Sequence, residues 1–310
     1  MYDFYYNVMR IGVAPSAMPI LDSKTPRLLT IESPFPEQHH TLRLLEPPDS
    51  CHESLWERLF SRTYDKPFII DSGQQRRLQF DLYTVQSAML REDPDRLILA
   101  YTRKMMAFLL FNRTPARILL LGLGGGSLAK FCYRRLPYSA IKAVEVNADV
   151  IALRDAFRIP PDDARFRVFR ADAADYVAHL GCSEDVILAD ACDREGIAPK
   201  LDSVQFYQDV RRCLAGGGVF VANMCGDDNH WAAHVDKIRT VFGDELMTLQ
   251  VRPNGNVIVF AFKERHPEFD WPQLESAAID LGRKFGLDFP RYNRRIAINW
   301  KLRRWQHLFA

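Results

Sequence analysis

The sequence predicts an α/β fold built around a mostly parallel sheet, and three observations lead to this prediction. From Ile118 onward, short apolar segments alternate with segments of helical period, which is typical of a parallel sheet with helices on both faces. The first of these strands, from Ile118 to Leu121, runs directly into a glycine cluster. Later, only four residues separate the strand-like segments 245–251 and 256–262, too few for a crossover helix, so these strands must be antiparallel neighbours.

A parallel sheet that ends in an antiparallel hairpin is typical of the Rossmann-like fold of S-adenosylmethionine-dependent methyltransferases, an assignment made by analogy. Ahead of it, short apolar runs broken by turn residues predict a small β module, and Asp93 to Asn112 has the caps and spacing of a core helix. We expect a partly irregular N-terminal extension (1–50), a small β module with its linking helix (51–112), a Rossmann-like nucleotide-binding catalytic domain (113–265) and a basic helical tail (266–310).

The composition is that of an ordinary globular enzyme, with 310 residues, 47% of them hydrophobic, and a net charge of +2. Such a charge gives no strong attraction to nucleic acid or membranes, and no apolar stretch is long enough to cross a bilayer. Six cysteines without a CxxC pair favour thiols over disulfides or zinc. We expect a cytoplasmic protein without a structural metal, a membrane partner or a nucleic-acid partner, and interpret the basic stretch 291–305 as a solvated helix face or partner contact.

The glycine cluster is the first candidate ligand site. Glycine permits positive φ and close backbone approach, and the N–H groups at the start of the following helix face a ligand. Glycines also serve ordinary turns, so the cluster alone leaves a nucleotide site and a structural turn equally open. The candidate residues are Gly122, Gly124, Gly125 and Gly126.

Acidic residues follow the next strands of the alternation. Glu145 ends the second strand about twenty residues beyond the glycines, where one carboxylate can accept hydrogen bonds from both ribose hydroxyls. Asp172 ends the third strand, where it could accept from an adenine amino group or cap the following helix, and a single Asp cannot separate these roles.

Asp190 and Asp193 lie just beyond the fourth strand, at the sheet edge where open α/β folds bind ligands. An ammonium nucleophile must lose a proton before it attacks, and a nearby carboxylate can both hold the cation and take that proton. A turn acid followed by an N-cap acid is the alternative. We expect the pair to be catalytic.

Several motifs together resemble the polyamine aminopropyltransferases, the spermidine synthase family, over about residues 68–263. They occur in order along the chain: Gly122–Ser127, Val144–Val146, Ala171–Ala173, Asp190–Asp193, Gln205–Tyr207 and the hairpin Pro253–Asn256. The resemblance implies a β-stranded module before a Rossmann-like domain, and transfer of an aminopropyl group from decarboxylated S-adenosylmethionine to a polyamine-type amine, with 5'-methylthioadenosine as the other product.

The same resemblance implies roles for the candidate residues. Glu145 would hold the ribose and Asp172 the adenine, while Asp190 and Asp193 would orient and deprotonate the amine. The substrate would also contact two further residues, Gln86 and Tyr207. We expect a small-molecule amine as substrate and a homo-oligomer, namely a dimer.

Departures from the family pattern concern both substrates. The family's glycine loop usually reads Gly-Gly-Gly-Asp-Gly-Gly, and its aspartate, which grips the donor's amine and disfavours a donor that retains its carboxylate, is Gly125 here. The acceptor motif Tyr-Gln-Glu is Val85-Gln86-Ser87, and Arg194 stands where the family usually has proline. The stretch Asp93–Leu97, which follows Gln86 and reads Asp-Pro-Asp-Arg-Leu, resembles a divergent bacterial subgroup of spermidine synthase-like proteins.

Two other functions remain compatible with these residues. An S-adenosylmethionine-dependent methyltransferase would use the same nucleoside site, and the missing loop aspartate favours it. A non-catalytic nucleoside-binding protein would keep Glu145 and Asp172 while losing acceptor residues.

Overall fold

A computed structural model describes residues 27–33, 40–193, 196–225, 231–244, 246–251, 255–264 and 269–308, with the side chains of 192, 193 and 302–308 left undescribed. Within these ranges an antiparallel sheet precedes a larger, mainly parallel sheet that has helices on both faces. The α/β fold class and the order of its two parts are therefore as the sequence predicts.

The N-terminal module is an antiparallel sheet with the strand order β1-β2-β3-β4-β5, and helix α1 packs into its small core. Its elements are β1 (Leu29–Glu32), β2 (Thr41–Leu44), α1 (His52–Phe60), β3 (Phe68–Ser72), β4 (Gln75–Gln79) and β5 (Val85–Leu90).

Two of these strands lie within segment 1–50, for which the sequence predicts a partly irregular extension. Strand β1 buries Leu29 and Ile31, and strand β2 buries Leu42 and Leu44. Each strand has four residues and only two inward-facing side chains, a pattern too short to show a period in the sequence. The rest of the predicted extension, 1–26 and 34–39, lies outside the described residues.

The linking helix begins later than predicted. The amide of Arg96 donates to the carbonyl of Asp93, so the predicted cap residues form a turn. Helix α2 (Ala100–Met105) follows and continues as a 3₁₀ helix (Met106–Leu110). Met105 and Met106 are fully buried, as expected of a core helix.

The large sheet has the strand order β13-β14-β12-β9-β6-β7-β8 in the described chain. Neighbouring strands are parallel from β12 to β8, whereas β14 pairs antiparallel with both β12 and β13, which confirms the predicted hairpin. The strands are β6 (Arg117–Leu121), β7 (Ala140–Glu145), β8 (Phe166–Arg170), β9 (Glu184–Ala189), β12 (Leu214–Met224), β13 (Met247–Gln250) and β14 (Val257–Phe262), and a small ribbon is formed by β10 (Cys192–Asp193) and β11 (Gly196–Ile197).

Helices cover both faces of this sheet and bury a separate apolar cluster on each. The first cluster includes residues of α2, α3, α4, α8 and α9, and the second includes residues of α5, α6 and α7. The helices are α3 (Ser127–Arg135), α4 (Ala148–Ala152), α5 (Ala173–His179), α6 (Val204–Cys213), α7 (Trp231–Phe242), α8 (Trp271–Phe285) and α9 (Phe289–Leu308). None of the helices in the described ranges is long and apolar enough to span a bilayer.

Helix α9 contains the basic stretch that the sequence suggests is a solvated face or a partner contact. Tyr292, Ile296 and Trp300 are buried against the first cluster, whereas Arg291 and Arg294 are exposed. The helix is therefore a covering layer of the domain, and Arg291 and Arg294 lie on the outer side of that layer.

Candidate functional site

A cavity of about 1450 Å³ lies at the carboxyl ends of the parallel strands and is also lined by residues of the N-terminal module. This edge is where open α/β sheets bind their ligands. The cavity brings together six of the residues predicted from the sequence: Gln86, Gly122, Gly124, Glu145, Asp172 and Asp190.

The glycine loop leaves β6 with a backbone that requires glycine. Gly122, Gly124 and Gly126 have φ values of +98°, +51° and +67°, in the region that favours glycine. A Cβ atom on Gly122 would lie 2.3 Å from the backbone oxygen of Asp190, and one on Gly126 would lie 2.4 Å from Ile159. The loop is therefore packed closely between β9 and the chain that follows α4.

Glu145 holds this loop in place. Its Oε2 accepts hydrogen bonds from the amides of Leu123 at 3.0 Å and Gly124 at 3.4 Å, and its Oε1 accepts one from the amide of Asn147 at 2.9 Å. Each carboxylate oxygen has about two acceptor positions, so one on Oε1 remains for a hydroxyl donor in the cavity. The sequence suggested that Glu145 contacts a ribose, and it gave no sign of the hydrogen bonds from Glu145 to the glycine loop.

Asp172 caps helix α5, as one of the two interpretations of the sequence requires. Its Oδ1 accepts from the amides of Ala174 at 2.8 Å and Asp175 at 3.2 Å. Its Oδ2 lies 3.3 Å from Nζ of Lys200, and this carboxylate raises the pKa of the exposed lysine. Asp172 also lines the cavity, and its adenine contact stays a prediction.

Asp190 is an acid whose pKa is raised by its surroundings. The side-chain amide of Asn223 donates to its Oδ1 at 2.9 Å, and the hydroxyl of Tyr101 also hydrogen-bonds to it. Its accessible surface faces the cavity, so the carboxyl is shielded from bulk water although the residue is only partly buried. This desolvation raises the pKa of Asp190, and the two hydrogen bonds partly oppose the rise.

Three polar residues around Asp190 were missed by the sequence analysis as site residues. Tyr101, Asn223 and Asn256 line the cavity, and Asn256 donates to Oδ1 of Asn223 at 3.0 Å. The signal for Asn223 was its position directly after the apolar run of β12, at the same sheet edge as Asp190. Tyr101 lies in a helix whose apolar spacing indicated only a core role.

Asp193 belongs to the β10–β11 ribbon, where its backbone pairs with Gly196. Gly196 and Ile197 line the cavity, so the ribbon borders the site. The side chain of Asp193 lies outside the described part, and its role as general base stays a prediction.

The hydroxyl of Tyr207 is directed toward Asp202. It is 1% exposed, and its hydroxyl donates to Oδ1 of Asp202 at 3.3 Å. Asp202 also pairs with Lys237 and lies 2.7 Å from Nδ1 of His234, although the ring N–H is not aimed along that contact. His234 lines the large cavity, and Tyr207 lines a small cavity that shares Asn223 and Ile197 with it, so a direct substrate contact stays a prediction.

Cysteine chemistry differs from the expectation at one position. Cys51, Cys132, Cys182 and Cys213 are free thiols, whereas Cys225, which lines the cavity, is disulfide-bonded. The expectation of thiols throughout is therefore wrong at Cys225. Among the described side chains, no group of three or more His, Cys, Asp or Glu residues is arranged to hold a metal.

Comparison with known proteins supplies independent information about this site. A family profile described as the spermine/spermidine synthase domain matches residues 98–241. A polyamine aminopropyltransferase of Chromobacterium violaceum is 37% identical over 229 residues, which cover 74% of this chain and 88% of that protein.

Solved structures agree on the fold. Human Methyltransferase-like protein 13 in complex with SAH superimposes with a TM-score of 0.56 and 26% identity, covering 61% of this chain and 93% of that one. A probable spermidine synthase from Corynebacterium glutamicum superimposes with a TM-score of 0.58 and 20% identity, covering 69% of this chain and 84% of that one. The second likeness concerns the fold alone.

Proposed function

We propose an activity for this chain from the premise that it belongs to the spermine/spermidine synthase family. The chain is a transferase, and the proposed reaction moves an aminopropyl group from decarboxylated S-adenosylmethionine to a polyamine-type amine. The observation that carries the proposal is that one cavity is lined both by Glu145, beside the glycine loop, and by Asp190, at the end of β9. In this proposal Glu145 binds the nucleoside donor and Asp190 binds the cationic acceptor, within the same cavity.

The residues present fit a nucleoside donor. The four glycines of the loop, at 122, 124, 125 and 126, have no side chains that would block backbone approach, and Glu145 keeps a free acceptor position for a ribose hydroxyl. We place the adenine beside Asp172, which retains accessible carboxylate surface in the cavity.

The acceptor amine is proposed to bind near Asp190. A carboxylate attracts an ammonium group, and the partly desolvated position of Asp190 strengthens that attraction. Asp193 is proposed to take the amine proton. The free amine then attacks the aminopropyl methylene carbon that is bonded to the sulfonium sulfur. A C–N bond forms, the bond from this carbon to sulfur breaks, and its electron pair neutralises the sulfur.

Orientation and electrostatics would supply most of the rate enhancement, because the sulfonium is already an activated leaving group. Asn223 and Tyr101 support this function by fixing the carboxylate of Asp190 through hydrogen bonds. The protein's own groups thus hold the sulfonium donor and the ammonium acceptor close together and remove one proton from the acceptor.

A second candidate function is S-adenosylmethionine-dependent methyl transfer. It is favoured by Gly125, which leaves the loop without an acid, and by the likeness to human Methyltransferase-like protein 13. The test is mass spectrometry after incubation with each donor and a mixed pool of amines. A gain of an aminopropyl group supports the proposal, a methyl gain supports the alternative, and binding without turnover would support a non-catalytic nucleoside-binding protein.

Three further expectations accompany the proposal. The acceptor is a small-molecule amine, the protein is a homodimer, and its location is the cytoplasm. The disulfide at Cys225 is a bond that a reducing cytoplasm does not favour.

A further inference from the structure

Gly125 is enclosed by side chains from two other parts of the chain. A Cβ atom added to it would lie 2.6 Å from Oγ and 2.9 Å from Cβ of Ser87, and 3.0 Å from Cδ1 of Phe157. Unlike Gly122, Gly124 and Gly126, Gly125 does not have a positive φ. Glycine is therefore required at 125 for space, and Ser87 occupies most of that space.

Ser87 cannot easily move away from the loop. It lies in β5, where it is 5% exposed and is paired with Leu78 of β4. The backbone that carries its Cβ is therefore fixed by the N-terminal sheet, and rotation of its side chain would move Oγ and leave Cβ in contact with position 125.

Phe157, the second neighbour of Gly125, is also held. Its carbonyl accepts a hydrogen bond at 2.8 Å from Nζ of Lys130, which is fully buried. The preceding carbonyl, of Ala156, accepts one at 2.6 Å from Arg76, whose guanidinium is bound at two points by Asp71. Two cations thus fix consecutive carbonyls behind the glycine loop.

Two hydroxyl groups lie beside the glycine loop at this end of the cavity. Ser87 and Ser127 both line the cavity, and their Oγ atoms are 3.3 Å apart. A hydroxyl can donate to a carboxylate or accept from an ammonium group, whereas an acid in the same place would attract the ammonium and repel the carboxylate.

We infer that Ser87 is a donor-specificity residue: by filling the space beside Gly125 and presenting a hydroxyl, it lets the site bind ordinary S-adenosylmethionine as well as the decarboxylated form. The inference rests on the proposed function for the position of the donor's tail beside the glycine loop. It also means that Gly125→Asp has no room while Ser87 is present.

Calorimetry tests the inference through binding alone, with 5'-methylthioadenosine, S-adenosylmethionine and its decarboxylated form. In the wild type, the two donors should bind within about threefold of each other. Ser87→Asp should weaken S-adenosylmethionine by about tenfold or more relative to the decarboxylated donor, because it places a carboxylate beside that of the ligand. Ser87→Asn is the matched control, because it has the size of the aspartate without its charge, and it should not reproduce this discrimination against S-adenosylmethionine.

Substitutions at position 125 give a second, independent test. Gly125→Asp alone should weaken all three ligands, since the clash with Ser87 displaces the loop. The double variant Ser87→Gly with Gly125→Asp removes the clash with Ser87 and leaves the 3.0 Å contact with Phe157, so it should recover part of the 5'-methylthioadenosine binding and prefer the decarboxylated donor. Equal loss of 5'-methylthioadenosine binding in the single and double variants would contradict the coupling of the two positions.

Other results separate the inference from the proposed function. Binding of 5'-methylthioadenosine together with a strong wild-type preference for the decarboxylated donor overturns the inference alone. If Ser87→Asp leaves the ratio of the two donor affinities unchanged while 5'-methylthioadenosine still binds, the inference is also overturned. Donor selection that depends on Ser87 without any aminopropyl transfer overturns the proposed reaction and supports the inference. Failure of the wild type to bind 5'-methylthioadenosine overturns both.

Discussion

The side-chain amide of Asn223 donates a hydrogen bond to the carboxylate of Asp190 across 2.9 Å, at the edge where β12 and β9 end side by side. This bond stabilises the ionised form of an acid whose surroundings favour the neutral form. Asp190 is therefore held in a position that is unfavourable for folding and useful for binding a cation.

Asp190→Asn should give a protein that is more stable and less active. The folded-state pKa of Asp190 is raised, so in the wild type this group contributes stability at low pH that is lost as pH rises through the folded pKa. The melting temperature of Asp190→Asn should therefore exceed that of the wild type at pH 8, and the difference should shrink toward pH 4. Equal melting temperatures at both pH values would contradict the assigned desolvation.

Asp193→Asn should lower turnover by roughly 10²–10⁴, because the amide cannot take the amine proton. Binding of 5'-methylthioadenosine should barely change, since the substitution keeps the size of the side chain. The rate of the variant should recover in part at high pH, where free amine is already present. Normal turnover of Asp193→Asn with an inactive Asp190→Asn would instead reverse the roles of the two acids.

Glu145→Ala should weaken 5'-methylthioadenosine binding by about 1.5–3 kcal/mol, because it removes hydrogen bonds to a charged acceptor. The amides of Leu123 and Gly124 should also exchange with solvent faster, since Glu145 is their partner. Calorimetry and hydrogen exchange measure the two effects. Asp149→Asn, a change to an acid in the first turn of α4, is a control that should alter neither.

Tyr207→Phe distinguishes a structural contact from a substrate contact. If the role of Tyr207 is to donate a hydrogen bond to Asp202, the variant should lose about 1 kcal/mol of unfolding free energy and keep the wild-type KM for the acceptor amine. Urea denaturation and steady-state kinetics provide the two readouts. A raised acceptor KM at unchanged stability would support the substrate contact that the family resemblance implies.

Lys130 should make stability depend on pH in the alkaline range. Burial lowers its pKa from 10.5 to about 8, so between these values the unfolded chain binds more protons than the folded one. Its contribution to stability should therefore rise with pH across this window, by at most about 1.4 kcal/mol per pH unit. Lys130→Met should lack this part of the slope, and an identical slope in both proteins would show that the lysine titrates normally.

Local patterns were sufficient for the large domain. The alternation of apolar strands and helical segments and the short link before β14 are properties of consecutive residues, and they predicted the parallel strands and the antiparallel hairpin correctly. They failed for the four-residue strands β1 and β2, which are stabilised by the pairing of β1 with β2 and of β2 with β3.

The sequence by itself determined the fold class, the glycine loop and the placement of Glu145, Asp172 and Asp190 in one site, because the carboxyl ends of parallel strands meet at one edge. Only the tertiary structure decided that Ser87 excludes a side chain at Gly125 and that Tyr207 turns toward Asp202. Those outcomes depend on distances between atoms that different elements bring together. No periodicity along the chain carries that information.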